Sequence, residues 1–167
     1  KTVWVELGLQ TIHDDTRAFT RSGFTYETFQ KSLFALHALS IKVIVHLILG
    51  LPHETREMML ASVQAIADLP IWGIKLQLLH VLSGTDLAGY YEKTHFPVFS
   101  MDEYCEMIID CLELLPPEMV IHRITGDGPK DLLIAPMWST GKRTVLNQIH
   151  RRLKERNTYQ GRLATKR

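Results

Sequence analysis

Four stretches of the chain are nearly continuous in apolar residues, at positions 3–9, 41–49, 73–82 and 119–125. Runs of this length without polar alternation read as strands buried on both faces. Between them the apolar positions recur at helical spacing. Thr25-Tyr26-Glu27-Thr28 offers a cap and an acidic first turn for a helix to about Leu39, with Phe29, Leu33, Ala35 and Leu36 on its apolar side. Thr55 caps a helix to about Leu69, which Pro70 stops. Residues 101–115 form a third helix, ended by Pro116-Pro117, and residues 142–156 a last one. Asp14, Asp15 and Thr16 supply further N-cap chemistry, and residues 132–135 read as a short turn or helix.

Strands alternating with helices give a parallel sheet with right-handed crossovers. Four such strands make half of an eight-stranded barrel or an open sheet. The edge at residues 3–9 is then bare, a liability that natural sheets avoid. The chain also opens as Lys1-Thr2-Val3-Trp4-Val5, already strand-like and without Met. The expectation is a C-terminal fragment of a longer protein, able to dimerise through its exposed sheet edge.

Composition narrows the class. At 167 residues, 46% hydrophobic and 22% charged, the chain suits one globular domain with a real core. No apolar run approaches the ~20 residues of a membrane span, and no signal peptide opens it. Cys105 and Cys111 are six residues apart, a spacing that fits neither a zinc pair nor an iron–sulfur run. They read as buried free thiols in a reducing cytoplasm. Charge is uneven. Residues 1–141 carry 10 basic and 17 acidic side chains, and residues 142–167 carry nine and one. Arg151, Arg152, Lys154 and Arg156 cannot all share the face that Val145, Ile149 and Leu153 would dock. Two readings stand for this tail: a polyanion site, or a solvated terminal helix.

Candidate chemistry gathers at the C-terminal ends of the strands, where α/β barrels hold their sites. By period two, Glu6, Gly8 and Gln10 share one face. A carboxylate inside a barrel needs a partner, either structural or a ligand hydroxyl. His46, Ile48 and Gly50 share a face of the next strand; the histidine is a core residue or a ligand contact, and the glycine allows close approach. His80 ends the third strand, and His122-Arg123 stands in the fourth, where a buried arginine needs a carboxylate or phosphate. Gly126-Asp127-Gly128 is a weak anion turn. Gly141-Lys142-Arg143-Thr144 fails as a P-loop, and no nucleophile elbow or zinc-protease pair occurs.

Glu6-Leu7-Gly8-Leu9-Gln10-Thr11, Arg21-Ser22-Gly23 and His46-Leu47-Ile48-Leu49-Gly50-Leu51-Pro52-His53-Glu54-Thr55 resemble the fourth and fifth strands of radical S-adenosylmethionine (SAM) proteins. Similar runs occur in Elongator-type tRNA enzymes and oxygen-independent coproporphyrinogen oxidases. Gly73-Ile74-Lys75-Leu76, Leu79-His80, His122-Arg123-Ile124 and Leu133-Ile134-Ala135-Pro136-Met137-Trp138 extend the resemblance to an uncharacterised bacterial branch. It implies an α/β fold: a half TIM-type barrel with parallel strands and outer helices over residues 1–115, then an extension over 116–167 with one strand and a basic helix. It also implies a parent enzyme in which a 4Fe–4S cluster on a CxxxCxxC loop cleaves SAM to a 5′-deoxyadenosyl radical that abstracts hydrogen from its substrate. That loop is absent from this sequence, so the fragment is expected to hold no cluster and to be inactive alone. Glu6, Gln10, Arg21, His46, Ile48, Gly50 and His80 are the implied cofactor contacts, and Glu54 departs by one residue from the usual glycine–glutamate spacing. No catalytic residue or metal ligand is assigned, and the substrate is unidentified, with tRNA as the candidate partner. The competing reading is an RNA-binding or interaction module without its own catalysis.

Overall fold

The computed structural model describes residues 3–126 and 128–164. Asp127 of the glycine turn, and Lys1 and Thr2 of the opening run, lie outside them. The elements run β1 (Trp4–Gln10), α1 (Asp14–Phe19), α2 (Tyr26–Ala38), β2 (Lys42–Leu49), α3 (Arg56–Ala67), β3 (Gly73–Leu78), β4 (Val81–Leu82), α4 (Asp86–Thr94), α5 (Met101–Leu114), β5 (Val120–Arg123), β6 (Leu133–Ala135) and α6 (Lys142–Glu155). Strands β1, β2, β3 and β5 form one parallel sheet in that order, and β4 and β6 a small antiparallel ribbon. No helix of the described residues is long and apolar enough to cross a membrane.

Four of the helices begin where a side chain satisfies a free N–H group. Thr25, Thr55 and Thr85 accept from the third residue onward, and Ser100 forms a capping box with Glu103. The start of α1 differs from the sequence reading. His13 is its N-cap, and Asp14, Asp15 and Thr16 lie inside the first turn. One face of the sheet is sealed. Leu9, Val43, Val45, Leu47, Leu49, Ile74, Leu76 and Leu78 pack with Phe29 and Leu33 of α2, Val63 and Ile66 of α3, and Tyr104 and Ile108 of α5. Helix α5 is buried on two sides because α6 lies over it, docking Val145 and Ile149.

Two expectations need correction. The run at 73–82 is not one strand. Leu79 N–H still bonds to Leu49 O at 2.9 Å, but Val81 and Leu82 turn away and pair with β6. Leu133–Ala135 are accordingly a strand, not a turn or helix. Their partner is about 50 residues away in sequence, so no local periodicity reveals it. The ribbon belongs to a second apolar cluster of Leu51, Leu79, Val81, Ala88, Phe96 and Ala135, which lies over the C-terminal end of β2 and β3.

Candidate functional site

The other face of the sheet is polar. Strand register sets Gly8 beside His46, His46 beside Lys75, and Lys75 beside Arg123, so one lateral row crosses all four strands. Glu6, one pleat earlier on β1, reaches into that row. Its Oε2 accepts from Lys75 Nζ at 2.6 Å and from His46 Nε2 at 3.0 Å. A carboxylate can only accept, so His46 carries its proton on Nε2 and leaves Nδ1 as a bare acceptor. The Lys75 hydrogen bond and charge hold the Glu6 carboxyl below its ordinary range, with His46 adding to the effect. Burial and the Lys75 cation push His46 down, against the pull of Glu6. At neutral pH the group is therefore a carboxylate, an ammonium and a neutral imidazole.

Gly8 leaves a gap in the row, and Gln10 occupies it. Gln10 has φ +64° where the register slips, and its side chain folds back so that a Cβ on Gly8 would meet the amide nitrogen. Behind the strand end, buried Arg17 fixes the backbone. Its guanidinium donates to Leu9 O at 2.9 Å, Thr11 O at 3.1 Å, Ser22 Oγ at 3.2 Å and Phe24 O, and it stacks on the Phe24 ring. The Glu54 carboxyl sits by the same strand end. Burial raises it above its ordinary range against the opposing Thr11 hydroxyl, His13 and Thr16 hydroxyl.

Beyond the row, a cavity of about 520 Å³ opens over the strand ends. Ile48, Leu51, Leu79 and Leu87 give it apolar walls, Phe19 and Tyr90 add aromatic ones, and Thr20, Arg21, Thr85 and Asp86 form a polar rim. Arg21 pairs with Asp86 at 2.7 Å, both side chains 80% exposed. Apolar and aromatic walls with a few polar groups at the rim are the general make-up of a small-molecule site.

The structure therefore brings Glu6, Gln10 and His46 together on one face, and Ile48 and Arg21 to one cavity. Gly50 and His80 are used differently. Gly50 has φ +90°, and the Phe99 ring lies against it, so a protein side chain fills the approach the glycine leaves. His80 lies under the loop after β5, where a Cβ on Gly126 or Gly128 would run into its ring. Those glycines serve close packing on an imidazole. A second cavity, about 600 Å³, lies between α3 and α5. Of the implied cofactor contacts it takes only Gly50, with Glu54 on the same wall, and ionic side chains there pair with protein groups, Arg152 with Asp102 and Glu106 among them.

Sequence reasoning missed Lys75, Asp86 and Arg17. Lys75 carried a signal, since a lone lysine inside an apolar strand calls for a carboxylate. Asp86, in the first turn of α4, and Arg17, buried in α1, carried no local signal.

A family model described as Radical_SAM C-terminal domain matches residues 71–155. The chain is 45% identical to the uncharacterized protein YtqA of Bacillus subtilis over 159 residues, covering 95% of this chain and 49% of that protein. It is 27% identical to the tRNA uridine(34) acetyltransferase of Methanocaldococcus jannaschii over 133 residues, covering 78% and 25%. The solved archaeal Methanocaldococcus infernus Elp3 with an N-terminal deletion superposes with TM-score 0.82 at 21% identity, covering 95% of this chain and 37% of that one. That likeness establishes a shared fold. The chain spans about half the length of the first curated relatives it matches.

Proposed function

Because the chain belongs to the Radical_SAM C-terminal domain family, we propose that it forms the later part of the SAM cradle of a radical SAM enzyme. The observation that carries this reading is the Glu6–His46–Lys75 group, set beside a cavity that holds Ile48 and Arg21. SAM bound there would supply the 5′-deoxyadenosyl group used for hydrogen abstraction. Ile48 and Leu79 would pack the adenine faces, and Arg21 would meet the carboxylate. The His46 Nδ1 and the Gln10 amide would bind hydroxyls or the amino group.

A 4Fe–4S cluster does not fit the residues of this chain. The two cysteines are buried in α5, where burial pushes the Cys111 thiol far up and the Cys105 thiol up. Such thiols are poor thiolate donors. Among the described residues no group of His, Cys, Asp and Glu is arranged for a metal. In this reading the cluster is held by cysteines of the longer protein.

A tRNA nucleoside is the substrate class that the named relatives suggest. The terminal helix gives it less support than its composition promised. Arg152 bridges Asp102 and Glu106, and Arg156 bridges Glu106, Asp110 and Glu113. These two arginines neutralise α5 instead of facing a polyanion. The test is anaerobic reconstitution of the longer protein with iron, sulfide and reductant, followed by assay for 5′-deoxyadenosine. Formation that falls at least about tenfold in His46→Ala supports the reading. No 5′-deoxyadenosine from the unsubstituted protein overturns it.

A further inference from the structure

The rim of the strand-end cavity is built from two fixed supports that meet through one ion pair. Arg21 stands in the turn after α1 with φ +55°, a conformation uncommon for a residue with a side chain. The turn around it is held: Arg21 N–H bonds to Ala18 O at 3.1 Å, Ser22 N–H bonds to Arg17 O at 2.9 Å, and the buried Arg17 guanidinium donates to Ser22 Oγ. The Arg21 side chain itself is exposed, and among the described residues its ion-pair partner is Asp86 of α4. Thr85 Oγ1 donates to Leu82 O at 2.7 Å and accepts from Ala88 N–H at 3.2 Å, which anchors the first turn of that helix. One turn on, the Tyr90 ring meets Phe19 of α1 edge to face, with centroids 5.0 Å apart, and its hydroxyl lies 3.1 Å from His53 Nε2. The end of α1 and the start of α4 are thus joined twice, once by rings and once by charge, and Phe19, Arg21, Asp86 and Tyr90 all line the same cavity.

We propose that Asp86 is a positioning residue: it holds the Arg21 guanidinium at the cavity mouth, ready for the carboxylate of the ligand's amino-acid end. The proposal rests on the SAM reading above. An exposed arginine loses side-chain freedom when it closes on a carboxylate, and a protein partner that orders it beforehand removes part of that loss from binding. Asp86 does this without taking Arg21 out of use. The contact runs through Nη1, and the guanidinium fork carries donors on all its nitrogens. Arg156 of this chain serves Glu106, Asp110 and Glu113 at once, so one carboxylate on Arg21 leaves room for another. In this assignment Asp86 touches no reacting atom and acts through Arg21.

The experiment is calorimetric binding to the longer protein, without reductant, of two probes. One is S-adenosylhomocysteine; the other is 5′-methylthioadenosine, which keeps the adenosine and the thioether but lacks the amino-acid end. Asp86→Ala should weaken the first about two- to fivefold, the range an exposed ion pair spans, and leave the second unchanged. Asp86→Glu should recover most of the loss. In an Arg21→Ala background Asp86→Ala should have no further effect, because the two residues act as one unit. Both side chains are exposed, and an unchanged thermal midpoint shows that the fold is kept. Equal weakening of both probes, no weakening of either, or a loss that persists without Arg21 overturns the proposal. Tighter binding of S-adenosylhomocysteine overturns it as well, since Asp86 would then compete for Arg21. In all of these the unsubstituted protein still binds the probes and the SAM reading stands. If it binds neither probe, the SAM reading fails and the proposal falls with it.

Discussion

Two ionic groups, one between α5 and α6 and one on the inner face of the sheet, use the same chemistry to different ends. In the first, Arg152 and Arg156 are each shared among carboxylates of Asp102, Glu106, Asp110 and Glu113, Arg56 joins Asp110, and Thr158 donates to Glu113. Each carboxylate there has a cation. In the second, one oxygen of Glu6 takes both Lys75 and His46, while the His46 Nδ1 and two of the three Lys75 protons make no hydrogen bond among the described residues. A closed network is a fastening. An open one, on a face with an adjoining cavity, keeps donors and acceptors for something else.

The largest expected effect is in the closed network. Arg156→Ala leaves Glu113, 6% exposed, facing Asp110 and Glu106 without its cation. Breaking one partner of a buried pair costs about 3–5 kcal/mol, and the partial exposure of Arg156 trims this to about 2–3 kcal/mol. Urea unfolding measures it. A loss below about 0.5 kcal/mol would mean the network is decorative.

Lys75→Met is next, because it opens the second network further. Lys75 is 14% exposed and lies against both Glu6 and His46. Removing its charge takes away a repulsion that holds the imidazole down, so His46 should titrate at a higher pH. The stability loss should be about 1 kcal/mol, one charge-assisted hydrogen bond less. NMR of the imidazole protons across pH reads the shift directly. A downward move would contradict the geometry.

The same group sets a pH dependence. The folded-state pKa of His46 lies below its unfolded value near 6.5, and that of Glu6 below its unfolded value near 4.5. In both cases the unfolded chain binds more protons, so stability rises with pH. The His46 contribution is complete above about pH 6.5 and is lost as pH falls through its folded-state pKa. The Glu6 contribution is complete above about 4.5 and is lost lower still. Unfolding midpoints at several values between about pH 5 and 7 should therefore fall with acid, and His46→Gln should flatten that slope. An unchanged slope would show that His46 is not held neutral by the fold.

How far this contrast could be read from sequence depends on the distance between partners. The strands and helices were legible because apolar runs, Thr caps and prolines are local signals. The common face of Glu6, Gly8 and Gln10 follows from period two alone. The 3.0 Å approach of His46 to Glu6 needs the register of β1 on β2, which no local pattern carries. The break after Leu78 was hidden because β4 answers to β6, a partner with only a short Leu-Ile-Ala run to announce it. The tail has the same limit. The acids of α5, about 50 residues earlier, take Arg152 and Arg156 and leave Arg151 and Lys154 exposed, a division that a count of charges does not carry.

The smallest expected effect falls one residue away from the closed network. Arg151 is on the outer side of α6, 65% exposed, and pairs with Glu155 at 3.5 Å, one turn along. Exposed i,i+4 pairs contribute about 0.3–0.5 kcal/mol. Arg151→Ala should therefore shift the urea midpoint barely beyond error, and added salt should erase the difference. Arg152→Ala, next in sequence, removes the cation of Asp102 and one of the two on Glu106, and should cost several times more at any salt concentration. Helix propensity cannot separate the two, because the substitution is identical and both sites lie within the helix. If the two variants lose equal stability, the ion pairs between α5 and α6 contribute nothing beyond surface charge, and the contrast between a closed and an open network fails at its closed end.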